Sequence, residues 1–191
     1  MTKKEETRKR IMDIALKLFA EQGYYATTTK MIAQHAKINE VTLFRHFGTK
    51  ENLFQETTES YVTSIDLKTE IHRLVKQDFE DSMLEIARDY LNFCFENKQL
   101  YKIQMRLTDE EKAFVRLKLS RGFVSELEIY FNELLEKKLI KGNPHIMAVS
   151  LIDSILGAFT IYILTDNTFT TVPLKDLVDE HAKQFAYYYR V

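Results

Sequence analysis

The segment from Thr28 to Phe54, TTKMIAQHAKINEVTLFRHFGTKENLF, constrains the chain most, because three helical patterns and their stop signals crowd into it. Ile32, Ala33 and Ala36 give a short first helix one apolar face, and Thr28 or Thr29 is placed to cap it by accepting a backbone N–H. Lys37, Ile38 and Asn39 interrupt the pattern. Asn39 is a good cap for a second short helix, in which Leu43 and Phe47, four apart, share a face. Gly48 ends that helix, and Thr49 caps a third that opens Lys50-Glu51-Asn52-Leu53-Phe54. Two short helices joined by a turn of three or four residues form the unit that lays its second helix in the DNA major groove.

Helices this short need support, and the preceding stretch supplies it. Ile11, Ile14, Ala15, Leu18 and Phe19 recur at helical spacing, and Gly23 closes the helix they define. Lys3, Lys4, Arg8, Lys9 and Arg10 precede and open it. They read either as a frayed, solvated end or as an arm lying along a phosphate backbone or a minor groove.

Three runs together, Ile11 to Tyr24, then TT..IA..A, then TLFRHFGTKENLF, resemble the TetR-type (TetR/AcrR) bacterial transcription regulators. The resemblance is specific over about the first 55 residues. Beyond them it is one of layout and length. It implies an all-α fold of about nine helices: a three-helix helix-turn-helix DNA-binding domain over residues 1–50, then a helical effector-binding and dimerisation domain over 51–191. The chain departs from the family pattern at Lys37, where glycine is usual, at Val41, where glycine or alanine is common, and at Phe44, where tyrosine is usual. A lysine costs roughly 1 kcal/mol if the turn needs a left-handed residue. Phe44 lacks a hydroxyl that in the family commonly touches a DNA phosphate.

Geometry and resemblance together sort the site. Thr29 and Lys50 sit at helix N-termini, which favour a phosphate oxygen. Arg45 and His46, late in the second helix, are expected phosphate contacts as well. Asn39, Glu40, Val41 and Thr42 occupy the first turn, the end that meets base edges. There Glu40 is suited to accept from cytosine N4, and Thr42 or Val41 to touch a thymine methyl. Phe44 is expected against sugar carbons.

Charge divides the chain the same way. Residues 1–55 carry 10 Lys/Arg against 6 Asp/Glu, and residues 56–191 carry 17 against 22, so a net charge of -1 conceals a basic N-terminal part. Positive charge of this kind favours a polyanionic partner through counterion release. The single cysteine, Cys94, excludes an intramolecular disulfide and a cysteine-based zinc site, and lies on an apolar face with Tyr90 and Leu91. The opening MTKKEETRKR leads into an amphipathic segment without a signal-peptide pattern, so a cytoplasmic location is expected.

The remainder reads as long helices. The helix opened by Lys50 continues past Tyr61 to about His72, a natural connector between the two domains. Gln77 to Gln99, Tyr101 to Leu107 and Glu110 to Leu139 carry further helical stripes. Most stripe residues are expected in the core. A minority are candidates to line a cavity for a small apolar or amphipathic effector: Met83, Tyr90, Phe93 and Met105, with Phe123, Leu127, Asp153 and Phe159. In Ile146 to Leu164, fourteen of nineteen residues are apolar. Asp153 near its middle would cost about 3 kcal/mol in a membrane, so burial on both sides is the expectation. Ser150, Ser154 and Gly157 form a small-residue row there. With Ile161, and with Leu177, His181 and Phe185 of the last helix, they mark an expected homodimer interface, an intermolecular four-helix bundle that the resemblance also implies.

The leading function is a homodimeric, ligand-responsive DNA-binding regulator, a repressor that reads a palindromic operator in double-stranded DNA. A helical partner-binding module whose helix-turn-helix no longer engages DNA is the alternative. The five histidines show no i, i+4 metal pair, and neither a Gly-rich phosphate loop nor a nucleophile elbow is present. No catalytic residue, metal, cofactor or membrane partner is therefore expected.

Overall fold

The computed structural model describes residues 2–61, 70–108, 121–166 and 168–191. Over them the chain is all-α, with ten helices and a single isolated β-bridge between Ile140 and Arg190. The helices are α1 (Lys3–Gln22), α2 (Thr29–His35), α3 (Glu40–Phe47), α4 (Lys50–Tyr61), α5 (Ile71–Leu74) and α6 (Phe79–Glu96). They continue with α7 (Lys98–Arg106), α8 (Arg121–Glu136), α9 (Pro144–Leu164) and α10 (Leu174–Tyr189).

Two compact units divide the chain, Met1–Thr63 with Asn97–Leu117, and Ser64–Glu96 with Lys118–Val191. The first takes in α4, which packs on α1, and α7, which returns to α1 from later in the chain. Within this unit Ile11, Ala15, Leu18 and Phe19 of α1, Ile32, Ala33 and Ala36 of α2, Leu43 and Phe47 of α3, and Leu53 and Phe54 of α4 are buried. Phe19, Tyr24 and Phe54 form an aromatic knot. The Phe19 and Phe54 rings meet edge to face at 4.8 Å, and Tyr24 and Phe54 at 5.1 Å, arrangements that add to plain area burial. Thr27 ties the loop after α1 down, donating to the carbonyls of Leu18 and Gly23.

Local chemistry sets the helix ends. The Thr28 side chain caps α2 by accepting from Met31 N–H at 3.1 Å, and Asn39 caps α3 by accepting from Val41 N–H at 3.0 Å. Gly48, at φ +75°, stops α3. The basic N-terminus differs from a frayed arm: Thr2 accepts from Glu5 N–H while the Glu5 carboxylate accepts from Thr2 N–H, a capping box that winds Lys3 and Lys4 into the first turn of α1. The connector also differs from one helix reaching His72. The helix from Lys50 is observed to Tyr61, residues 62–69 lie outside the described residues, and His72 belongs to the separate four-residue α5. Part of the stripe from Glu110 to Leu139 likewise lies outside them, and α8 is its described portion.

The second unit packs α6, α8, α9 and α10 together. Met83, Ile86, Tyr90 and Cys94 of α6, Leu127, Tyr130 and Phe131 of α8, Leu151, Ile155 and Phe159 of α9, and Val178 and Ala182 of α10 fill its interior. Arg88 pairs with Asp179 through two bonds of 2.7 and 2.8 Å, and Arg190 with Asp78 at 2.8 Å, tying α10 and the residue after it to α6 and the residue before it from the surface. Helix α9 is long and apolar enough to cross a membrane by length and composition alone. Its most apolar window has a mean hydropathy of 2.0, yet only 33% of that window is buried within the chain.

Lys37, in the turn between α2 and α3, has φ +53°, so the turn does require the left-handed region. Replacing it with glycine removes a Cβ penalty of about 1–2 kcal/mol and adds back about 0.4–1 kcal/mol of unfolded-state entropy. Lys37→Gly should therefore raise the stability of the first unit, read as a later denaturant midpoint, whereas Lys37→Ala, which keeps its Cβ, should give no such gain.

Candidate nucleic-acid interface

Helix α3 has two sides. Leu43 and Phe47 are turned into the unit, which forces Val41, Phe44 and Arg45 outward; Val41 is 72% exposed and Phe44 43% exposed. Asn39 is exposed as well, and Thr42 and His46 flank this face half-buried. The outward side thus offers a polar and aliphatic first turn and a cationic last turn.

Arg8 of α1 holds this helix in place. Its guanidinium donates to the His46 carbonyl at 2.8 Å, stands 4.3 Å from the Phe47 ring centroid, and forms an ion pair with Glu56 of α4. One side chain therefore joins α1, the C-terminal turn of α3 and α4. Lys4, Arg45 and His46 line an open hollow of about 350 Å³ beside it. Burial disfavours the charged form of the His46 imidazole, and the cations of Arg45, Arg8 and Lys4 add to this, holding its pKa below the usual 6.5.

The Lys50 ammonium lies over the Tyr24 ring, 4.1 Å from its centroid, so the aromatic knot of the core also steers a surface cation. Its neighbour Glu51 has its carboxyl held below the ordinary range, first by a bond from its own backbone N–H, then by the Tyr24 and Thr49 hydroxyls. Thr29 and Glu40 meet directly, the Thr29 hydroxyl and the Glu40 carboxylate oxygen Oε1 being 2.6 Å apart.

All nine residues singled out from the sequence, Thr29, Asn39, Glu40, Val41, Thr42, Phe44, Arg45, His46 and Lys50, fall in the first unit, on or beside α3. Sequence reasoning missed the Thr29–Glu40 pair, the brace made by Arg8 and the seat of Lys50 on Tyr24. The Thr2-x-x-Glu5 pattern was the available signal that Arg8 would sit on a helix. The other candidates divide. Met83, Tyr90, Phe93, Phe123, Leu127 and Phe159 are buried in the second unit, where Tyr90 stacks on Phe123 at 4.8 Å and on Phe93 at 5.8 Å. Met105 instead lies on α7 of the first unit and is exposed. Asp153 is exposed on α9, since six residues before the inward Phe159 the helix has turned to its other side. Among the described residues no cluster of His, Cys, Asp and Glu could hold a metal ion.

Two short helices, α2 and α3, joined by a tight turn and supported by α1, with cations at the far end of α3, have the form of a helix-turn-helix. Residues 11–57 match the family model described as bacterial regulatory proteins, tetR family. Over these residues the chain is similar to the TetR-type DNA-binding region. It is 33% identical over 100 residues to the uncharacterized HTH-type transcriptional regulator YvkB of Bacillus subtilis (strain 168), covering 52% of this chain and 51% of that one. It is 35% identical over 88 residues to the HTH-type transcriptional repressor Rv3405c of Mycobacterium tuberculosis (strain ATCC 25618 / H37Rv), covering 46% and 44%. The chain spans about half the length of the curated relatives it matches. The fold itself continues further. NalD, the secondary repressor of the MexAB-OprM multidrug efflux pump in Pseudomonas aeruginosa, superposes with a TM-score of 0.71 at 20% identity, covering 98% of each chain.

The position of His46 among three cations gives a direct test. Its ring should titrate below 6.5 when followed by NMR, and Arg45→Ala should move it upward, because removing a neighbouring positive charge favours the imidazolium. A value unchanged by Arg45→Ala would contradict the part given to the Arg45 charge.

Proposed function

We propose that the chain is a homodimeric DNA-binding transcription regulator, a repressor released by a small effector, and not an enzyme. The observation that carries this reading is α3. Leu43 and Phe47 are turned inside the unit, and the other side of the helix pairs a base-sized first turn, Asn39 to Thr42, with Arg45 and His46 at the phosphate-facing end, next to Lys50 at the start of α4. Affinity comes from cations against phosphates, and preference from the first turn against base edges. Phe44 supplies apolar contact to sugars.

One α3 reads few base pairs, so the reading requires a second copy. The unburied side of α9 supports one: Ile146, Ser150, Asp153, Gly157, Ile161 and Leu164 are all exposed, three or four residues apart, and Leu164 is 67% exposed. Gly157 has nothing within 4 Å of where a Cβ would stand, leaving room for a helix to approach. Leu177, His181 and Phe185 of α10 are half-covered, and His181 Nδ1 is buried without a hydrogen-bond partner among the described residues. Two copies joined through α9 and α10 bring two recognition helices to successive turns of a palindrome, roughly 34–36 Å apart. An effector held among the aromatic side chains of the second unit acts by preferring one spacing of these helices over another, transmitted through the segment that follows Lys50.

Two measurements test the reading. In a salt titration of DNA binding, Arg45→Ala and Lys50→Ala should each weaken affinity and flatten the salt slope by about 0.9 per lost phosphate contact. Unchanged slopes in both variants would favour the partner-binding alternative. By sedimentation the chain should run at twice its 22.6 kDa, and Ile161→Glu should return it to that mass with its helix content intact. A wild-type protomer at working concentration would remove the dimer.

A further inference from the structure

Five cations open the chain, Lys3, Lys4, Arg8, Lys9 and Arg10, and the helix they stand on sorts them. The capping box starts α1 at Lys3, so each later residue is turned by about 100° from the one before it. On that phase Lys4 and Arg8 fall in line with Ile11 and Ala15, which are fully buried. Lys3, Lys9 and Arg10 fall about 100° or more to either side and are exposed. Lys4 therefore extends the inward stripe of α1 past the end of the core, one turn before Arg8.

Arg8 is already committed, to the His46 carbonyl, the Phe47 ring and Glu56. Lys4 is not. Among the described residues neither Lys4 nor Arg45 forms an ion pair, yet the two line one open hollow of about 350 Å³ with His46. Both charges act on the His46 ring, as Arg8 does, and burial and these cations hold that ring from its charged form. Glu56, the acid that α4 brings to this group, is spent on Arg8. Among the described residues the hollow is thus lined by two unpaired cations and an imidazole, from two helices, with no acid. Like charges brought together repel unless an anion stands between them. A phosphate has the charge, and enough acceptor oxygens, to take a lysine and an arginine at once.

We propose, resting on the DNA-binding reading above, that this hollow seats one phosphate of the DNA backbone, and that Lys4 holds it from α1 while Arg45 holds it from α3. The seat is shared by the helix that reads the groove and the helix that supports it, so one phosphate fixes the register of both. Thr2 and Glu5 position Lys4, since their capping box winds it into the helix before any DNA arrives. A lysine on a frayed end would lose more backbone and side-chain freedom on binding. Lys3, Lys9 and Arg10 add only to the general positive field.

The test is binding by the full chain to a duplex it selects from a random pool, remade as a series in which one backbone phosphate at a time becomes an uncharged methylphosphonate. Each replacement carries a penalty, the affinity lost relative to the unmodified duplex. Lys4 is exposed, so Lys4→Ala leaves the core untouched. That variant should bind the unmodified duplex about fivefold to tenfold more weakly at roughly 0.1 M salt, with a salt slope flatter by about 0.9 per protomer. At one phosphate of each half-site its penalty should be smaller than that of the wild type by about threefold or more. Arg45→Ala should lower the penalty at the same phosphate. Lys4→Arg, which keeps the charge, and Lys3→Ala and Lys9→Ala, which remove charges from other sides of α1, should keep the wild-type pattern. Penalties lowered equally at every phosphate, or at none, in Lys4→Ala would overturn the contact. Different phosphates for Lys4→Ala and Arg45→Ala would overturn the shared seat. A wild type that binds no duplex would instead bring down the DNA-binding reading itself.

Discussion

The recognition face depends on a brace that lies outside it. Helices of seven and eight residues, such as α2 and α3, are far below the length at which a helix holds itself in water. What keeps α3 in place is burial of Leu43 and Phe47, each contributing about 1.5–3 kcal/mol, and the Arg8 guanidinium that closes over the same turn. Arg8 satisfies the His46 carbonyl, one of the C-terminal acceptors that a helix leaves without an internal partner, and links that end to Glu56 on α4. Any displacement of α4 is therefore felt at the end of α3 nearest Arg45 and His46.

The face so held carries opposed charges in adjacent turns. Its last turn and the start of α4 bear the cations of Arg45 and Lys50, while its first residue is an acid that accepts from a threonine hydroxyl. Two further cations of the unit are spent on structure: Arg8 on α3 and α4, and Arg106 on the carbonyl of Glu21, joining α7 to α1.

In the second unit the organising pressure is the apolarity of α9. Its inward residues, Met147, Leu151, Ile155 and Phe159, are buried against the other helices, while its outward ones keep leucine and isoleucine in water. At the α9–α10 junction, Ile161, Tyr162, Phe169, Val172 and Leu177 line a shallow apolar cleft, so the uncovered surface extends from one helix to the next. A second copy is the cover that fits this surface in the account above.

Much of this was legible in the residues. Asn39, Gly48, the Leu43–Phe47 pair and the apolar run after Pro144 act over one or two helical turns, and their meaning is local. Lys37 was legible as a strain, since a turn of three residues between helices needs a left-handed position. The pairings that tune the site were not, because Thr29 with Glu40 and Arg8 with Glu56 join residues 11 and 48 positions apart, which no periodicity encodes. The basic cluster at the N-terminus misled through its charge, which hid the Thr2–Glu5 capping box. Met105 and Asp153 had the right character for a cavity, but helix phase and unit membership set them elsewhere.

The central claim is that the outer side of α3 is the surface that closes on DNA. Amide hydrogen exchange of the full chain, with and without a duplex it binds, tests it most directly. Slowed exchange over Asn39–His46 and at the start of α4 is the result expected; bound DNA that leaves those amides unchanged while protecting another surface would contradict it.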